Sequence, residues 1–530
     1  MRRSPHAAPR RRDPTPPQSP RGLTRRRAGA ALMSASLLSA SLLSACARET
    51  APTEVPVPAP AFKEASTPAS GPSVRAGEPW WERFGDAGLT SLVGGLMLEN
   101  LALAQARERV IQMRAVATQT GSQRWPQLSL DVGWARNKQL NQFALLNRSA
   151  SSSAAASGAM GGATGGAATS TAPTSTMPTS FTLDTYRASL AVSYEVDLWG
   201  RVGSLTEAAE RDAVAAEQDL QGMAVTLSAS AVDLWLQLVE MGGRARLLRA
   251  QIEDAEELLQ LTAARFEEGL APHLQVLQQA QQRDNLRAQL PLLEAQTSSM
   301  TRRLAALLGR SGVSLSLPES LPSLPPLPAL GLPGELLLAR PDVKAAQARL
   351  AAADARVSAA VSARYPSLRL GGSVGLQAFE VEKLFDDFVW GLSAGLLTPL
   401  FDAGRLASAQ EQQESVLRER GLALKERLIT AYHEVEDALA LEREQRAQLA
   451  VIDEVLEGAE ALVDSSMERY LEGLGDFLSV LSARQGLYAA QLSRLSAARA
   501  CLSSRVQLHR ALAGDIEPPT PKTPSQEPSL

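Results

Sequence analysis

The chain has 530 residues, of which 21% are charged and only 4% aromatic, and its formal net charge is −4. Neither half is strongly basic, so nucleic-acid binding has no electrostatic footprint. Two cysteines, Cys46 and Cys501, exclude a disulfide framework or a cysteine zinc cluster, and the four histidines stand apart from one another without metal-ligand spacing.

The N-terminal stretch has the pattern of an export signal. Met1 to Arg27 is rich in Arg and Pro, and Ala28 to Ala45 is apolar and uncharged, ending in Leu43-Ser44-Ala45-Cys46. This ending is similar to a bacterial lipobox, in which the cysteine becomes the lipidated first residue. A membrane-spanning anchor with a chance cysteine is the alternative, but the run is short and Ala/Ser-rich for a span of about 20 apolar residues. We therefore expect a signal peptide over 1–45, lipidation at Cys46 and, because of its prolines, an extended tether over 46–79. Ala47 after the cysteine leans towards the outer membrane, since lipoproteins of this kind kept at the inner membrane carry Asp there.

The body begins with a helical stretch and then alternates. Leu128, Leu130, Val132 and Trp134 share one face of a strand, with Ser129, Asp131 and Gly133 on the other. The stretch "LAVSYEVDLWGR" repeats the pattern: Leu190, Val192, Tyr194, Val196 and Leu198 alternate with Ala191, Ser193, Glu195 and Asp197. Between the two lies a Ser/Ala/Gly/Thr-rich segment, Ser149 to Ser180, that reads as a flexible loop. Val202 to Glu268 has no proline and would span about 100 Å as one helix, with Gly242-Gly243 as the place for a break or bend.

Ser311 to Pro333 is proline-rich and reads as a connector. Beyond it the pattern returns. Leu368, Leu370, Val374 and Leu376 oppose Arg369, Ser373 and Gln377; Phe388, Trp390, Leu392 and Leu396 oppose Gly391, Ser393 and Gly395. A short acidic connection around Glu380 to Asp387 joins these strands. Leu417, Leu424, Leu428, Tyr432, Val435 and Leu439 then form a coiled-coil-like seam. "RWPQLSLDVG" matches "RYPSLRLGGS", and "RFEEGLAPHLQVL" matches "RYLEGLGDFLSVL", which is an internal repeat. We expect repeated halves over 80–310 and 335–514, a connector over 311–334 and a disordered tail over 515–530, with strands near 127–137, 186–198, 367–378 and 388–398.

Each strand is close to the ~9–11 residues that cross a bilayer when tilted. In a membrane barrel the lipid face is apolar and the lumen face polar, which would put Asp131, Glu195, Asp197 and Arg369 in water. A soluble antiparallel sheet with one wet face alternates in the same way. Four strands would leave two open edges, which lipid does not tolerate, so one chain cannot close a barrel alone.

The motifs "WWERFGD" (80–86), "YEVDLWGR" (194–201), "RPDVKAAQARLAAADARV" (340–357) and "TPLFDAGR" (398–405), with the two Gly-Leu turns, carry a family resemblance over roughly 80–514. The chain resembles the TolC-like outer membrane efflux proteins, particularly the lipoprotein branch serving RND pumps. The resemblance implies a mainly α fold with a small transmembrane β part. Three chains would form a twelve-stranded barrel in outer membrane lipid, continued by a long α-helical barrel in the periplasm. It implies a periplasmic adaptor that docks at the turns Gly269-Leu270 and Gly473-Leu474, and an inner-membrane RND-type pump.

It also transfers a periplasmic gate to Gln275, Tyr470, Gly475, Ser479 and Ser482. The pattern departs here, since Ser482 stands where many members have Asp, Gln275 where some have an acid and Gly475 where some have Arg. Asp476 and Glu472 would supply charge instead, with packing through Leu474, Leu478 and Leu481. The implied function is a passive exit duct for small molecules, without cofactor or catalysis. A type I secretion duct and a periplasmic coiled-coil adaptor or structural protein are the competing readings. No nucleophile–base pair, phosphate loop or metal cluster supports an enzyme.

Overall fold

A computed structural model describes residues 79–140, 180–314, 316–328 and 333–512. Cys46, the segments 1–45 and 515–530, all but the last residue of the tether, and nearly all of the segment 149–180 lie outside the described residues.

The chain runs α1 (Ala87–Glu99), α2 (Leu101–Gly121), β1 (Gln127–Leu140), β2 (Ser180–Val196), α3 (Arg201–Glu267) and α4 (His273–Leu307). After the connector come α5 (Pro333–Ala339), α6 (Pro341–Ser362), β3 (Ser367–Ala378), β4 (Phe388–Leu397), α7 (Arg405–Leu471) and α8 (Phe477–Leu512). Helices α3 and α7 each have 67 residues, about 100 Å at ~1.5 Å per residue.

Local chemistry sets the helix starts. Asp86 accepts hydrogen bonds from the Gly88 and Leu89 N–H groups at 2.8 and 3.1 Å and caps α1; its second oxygen takes the Trp235 indole N–H at 2.8 Å. Asn100 divides α1 from α2, accepting from Leu103 N–H at 2.9 Å while its amide donates to the Leu307 carbonyl at 2.6 Å. Asp197 and Asp402 serve the two long helices alike: Asp197 accepts from Gly203 N–H at 2.7 Å and Asp402 from Leu406 N–H at 2.9 Å.

The largest core cluster packs Trp80, Trp81 and Phe84 with Leu89, Val93 and Leu96 of α1, Val232 to Val239 of α3, and Leu502 and Val506 of α8. Burying each large apolar side chain contributes about 1.5–3 kcal/mol. Among the described residues one helix, α3, is long and apolar enough to cross a membrane; 56% of its apolar window is buried, much of it in this core. Its continuity through Gly242-Gly243 has a packing reason. A Cβ at Gly243 would stand 3.1 Å from Leu495, so the glycine admits α8 closely rather than breaking α3.

Ion pairs tie these helices together. Arg505, fully buried, meets Glu442 at 2.5 Å and donates to the Pro325 carbonyl, which fixes the connector against α7 and α8. Arg340 donates to Asp342 (2.8 Å), Glu434 (2.5 Å) and the Ala511 carbonyl (3.0 Å), so the "RPD" motif joins α6 to α7 and α8. Arg349–Asp219 and Arg356–Asp212 join α6 to α3.

The four strands form one antiparallel sheet in the order β1-β2-β3-β4. Leu130 faces Leu190, Leu190 faces Val374 and Val374 faces Trp390, so the register keeps the apolar residues in common rows. Strand β2 ends at Val196. Leu198 and Asp197, expected on that strand, lie instead in the turn before α3.

Candidate functional site

The sheet has two chemically opposite faces. On one, Leu128, Leu130, Val132 and Trp134 of β1 and Phe388, Trp390, Leu392 and Leu396 of β4 are exposed by 58% to 82%. No described part of the chain covers this face. Trp134, Phe388 and Trp390 lie towards one end of the sheet, and Trp125, 72% exposed, precedes it at the other. Beyond Trp134 charge returns: Arg136 pairs with Asp184 at 2.7 Å and lies 5.7 Å from the Trp134 ring centroid.

The other face is polar. Asp131 is paired with Arg187. Glu195 takes two contacts from Arg201, at 2.7 and 3.2 Å, while Arg369 approaches its second oxygen at 3.7 Å. Three of the residues expected in water, Asp131, Glu195 and Arg369, are thus on one face. The fourth, Asp197, caps α3 at the foot of the sheet. Among the described residues no three His, Cys, Asp or Glu side chains gather closely enough to hold a metal ion.

At the far ends of the long helices the two turns have the same geometry. Gly269 and Gly473 adopt φ +74° and +78°, a region that favours glycine. Leu270 N–H bonds the Arg265 carbonyl and Leu474 N–H the Arg469 carbonyl, each at 2.8 Å. Both turn leucines are exposed. Tyr470 donates its hydroxyl proton to Gln275 at 3.0 Å and lies under Arg265, 4.7 Å from ring centroid to guanidinium. Gly475 packs against Arg469; a Cβ there would meet the Arg469 side chain at 3.2 Å. Asp476 caps α8 by accepting from Ser479 N–H at 3.0 Å and from the Ser479 hydroxyl, and these bonds hold its carboxyl below the usual carboxylate range. Ser482 is exposed.

Packing at this tip differs from the leucines singled out in the sequence. Leu474 and Leu478 point to solvent on this chain, and Leu481 is only partly buried. Phe477 and Val480 fill the cluster with Leu258 and Tyr470. Sequence reasoning also missed the contact higher up, where Tyr488 donates to Asp254 at 2.6 Å beside Arg484 and joins α8 to α3. Burial, and then the hydrogen bond to Asp254, push the Tyr488 hydroxyl far up. Tyr488 stands among apolar neighbours at helical spacing and carried no separate signal.

A sheet with an uncovered apolar face, a charged second face and two helices about 100 Å long fits a protein whose sheet enters an outer membrane and whose helices project from it. The model of the outer membrane efflux protein family matches residues 92–310 and 332–514. The pyoverdine export outer membrane protein OpmQ of Pseudomonas aeruginosa is 32% identical over 439 residues, 82% of this chain and 87% of the relative. The toluene efflux pump outer membrane protein TtgF of Pseudomonas putida is 34% identical over 334 residues, 62% of this chain and 69% of TtgF. The outer-membrane channel OprN superposes with a TM-score of 0.72 at 25% identity, covering 88% of this chain and 99% of OprN. The chain belongs to the outer membrane efflux protein family, and it is an efflux channel of the outer membrane.

Proposed function

We propose that three copies close a twelve-stranded barrel, each supplying β1 to β4, and that the long helices continue it as a periplasmic α-helical barrel. The duct is passive. An inner-membrane RND-type pump supplies the energy, and a periplasmic adaptor docks at Gly269-Leu270 and Gly473-Leu474. TtgF is named for toluene and OpmQ for pyoverdine, and we take the cargo here to be a small molecule as well. In this reading each chain is two repeated halves, 80–310 and 335–514, joined by the connector 311–334. Asp131, Glu195 and Arg369 line the lumen; Asp197 stands at its foot. The gate lies at the helix tips, among Gln275, Tyr470, Gly475, Asp476, Leu478, Ser479 and Ser482.

One observation carries the proposal. The sheet presents an open apolar face and two unpaired edge strands, and in lipid those edges need partners. Detergent-corrected light scattering of the purified protein should give three chains. A monodisperse monomer with an intact β signal would sink the reading. We further propose, from Leu43-Ser44-Ala45-Cys46, that Cys46 is acylated after removal of 1–45. Mass spectrometry of the mature N-terminus tests this; an unmodified N-terminus elsewhere ends the lipoprotein claim without touching the barrel.

A further inference from the structure

A recess of about 520 Å³ lies between the foot of the sheet and the first turns of α3 and α7. Its lining includes Arg201, Arg369, Arg405, Glu195, Trp199 and Tyr365. Three guanidiniums therefore meet two carboxylates there, since Asp197 also borders the recess. Both carboxylates are engaged: Glu195 by Arg201 and Asp197 by the Gly203 N–H. Arg369 stands 3.7 Å from Glu195, beyond hydrogen-bond reach, with a side chain 69% exposed. Arg405 is exposed as well. Higher on the same face Asp131 and Arg187 pair with each other, whereas at the foot Glu195, Asp197 and Asp402 are taken by Arg201 and by the Gly203 and Leu406 N–H groups, and Arg369 and Arg405 keep exposed guanidiniums.

A flat apolar surface stands beside that charge. The Trp199 and Tyr365 rings stack with centroids 4.9 Å apart and planes 27° from parallel. Trp199 is held in place, because its indole N–H donates to the Pro366 carbonyl and its own carbonyl accepts from the Ser362 hydroxyl, each at 2.8 Å. A guanidinium binds the two oxygens of a carboxylate, sulfonate or phosphate in parallel, and an aromatic surface takes a planar apolar body.

We propose that this recess is a binding station for organic anions with a planar aromatic body passing along the polar face of the sheet. The proposal rests on the reading that this face lines a water-filled duct. A phospholipid headgroup offers the same anionic chemistry; Glu195 and Arg369 of the polar face border the recess, and the test separates the two ligands.

The test is equilibrium binding of 2-naphthalenesulfonate to the full-length protein in detergent, followed by fluorescence anisotropy. The wild-type protein should bind it saturably and lose it in high salt. R369A and R405A should each weaken binding about tenfold, and Y365L should weaken it too. R211A, on the exposed surface of α3, should change nothing. Equal binding by wild type and R369A/R405A overturns the proposal. So does equally tight binding of a naphthylmethyl trimethylammonium cation, or occupancy by short-chain phosphatidylglycerol without naphthalenesulfonate. Single-channel current in planar bilayers separates the two levels. Current without specific binding removes the station and leaves the duct, whereas specific binding without current leaves the site and removes the duct.

Discussion

Replacing Leu130 by Arg discriminates a membrane sheet from a soluble one. Leu130 sits midway along the apolar rows of β1, opposite Leu190, and is 70% exposed. If water covered that face, L130R would be an ordinary surface change, worth within about 0.5 kcal/mol. In lipid the guanidinium lies near the midplane of a barrel wall, where it costs ~2–4 kcal/mol. At ~1.4 kcal/mol per factor of ten, that is roughly 30- to 700-fold in the folded population. Ser129 is the internal control, since it is one residue away on the polar face, where an Arg meets water. The assay is urea unfolding of protein reconstituted into vesicles, together with the yield of folded protein in outer membranes. L130R should lower both and S129R neither. If the two variants behave alike, the apolar rows do not face lipid, and the argument from alternation fails.

Removing Glu442 strands the buried Arg505 guanidinium, so E442A should cost about 3–5 kcal/mol, while E442L/R505M recovers most of it. Thermal unfolding in detergent measures both, and a loss under about 1 kcal/mol for E442A would contradict the buried pair. Asp476 carries a lowered pKa through its bonds to Ser479, so its cap is present above the ordinary aspartate pKa and is lost as pH falls through the lowered one. Amide exchange of the first α8 turn should therefore be faster in D476A at pH 7, and the difference from wild type should vanish in strong acid. Y470F removes only the bond to Gln275 and should raise channel open probability modestly. Y470A also empties a buried site beside Phe477 and should raise it much more; equal effects would assign the whole restraint to the hydroxyl.

Legibility followed the strength of the local signal. Alternation in the stretches around Leu130, Leu190, Leu370 and Trp390 located strands because a period of two has few other causes in a chain bounded by turn residues. Of the seam Leu417, Leu424, Leu428, Tyr432, Val435 and Leu439, Leu417 and Tyr432 are only partly buried and the other four are buried as their spacing implied. Where one residue type serves two purposes, the sequence was ambiguous. Gly242-Gly243 had the composition of a break, yet Gly243 lies against Leu495, a contact between residues 252 positions apart that no local window contains. Leu474 and Leu478 are as apolar as Phe477 and Val480, and only the angle at which α8 leaves the capped turn decides which pair goes inward. The charged contacts behaved similarly: Glu195 was visible as a carboxylate on a polar face, but its partner Arg201 belongs to the next element.

The two helix tips share a turn but not a helix start, and this bears on where a gate would yield. Helix α8 begins with Asp476 bonded to Ser479 and with Phe477 and Val480 buried against Leu258 and Tyr470. Helix α4 begins after Pro272, which has no side chain able to cap it, and Leu270, Leu274 and Leu277 around it are exposed. Local opening follows the number of buried apolar contacts and satisfied end groups. The α4 start should therefore fray before the α8 start, and the Tyr470–Gln275 bond is then the joint between a yielding side and a held one. Native-state hydrogen exchange should show amides at 274–277 less protected than those at 478–481. Equal protection at both would mean that the cap and the Phe477 cluster do not set the order of opening, and the asymmetry of the tips would have no dynamic consequence.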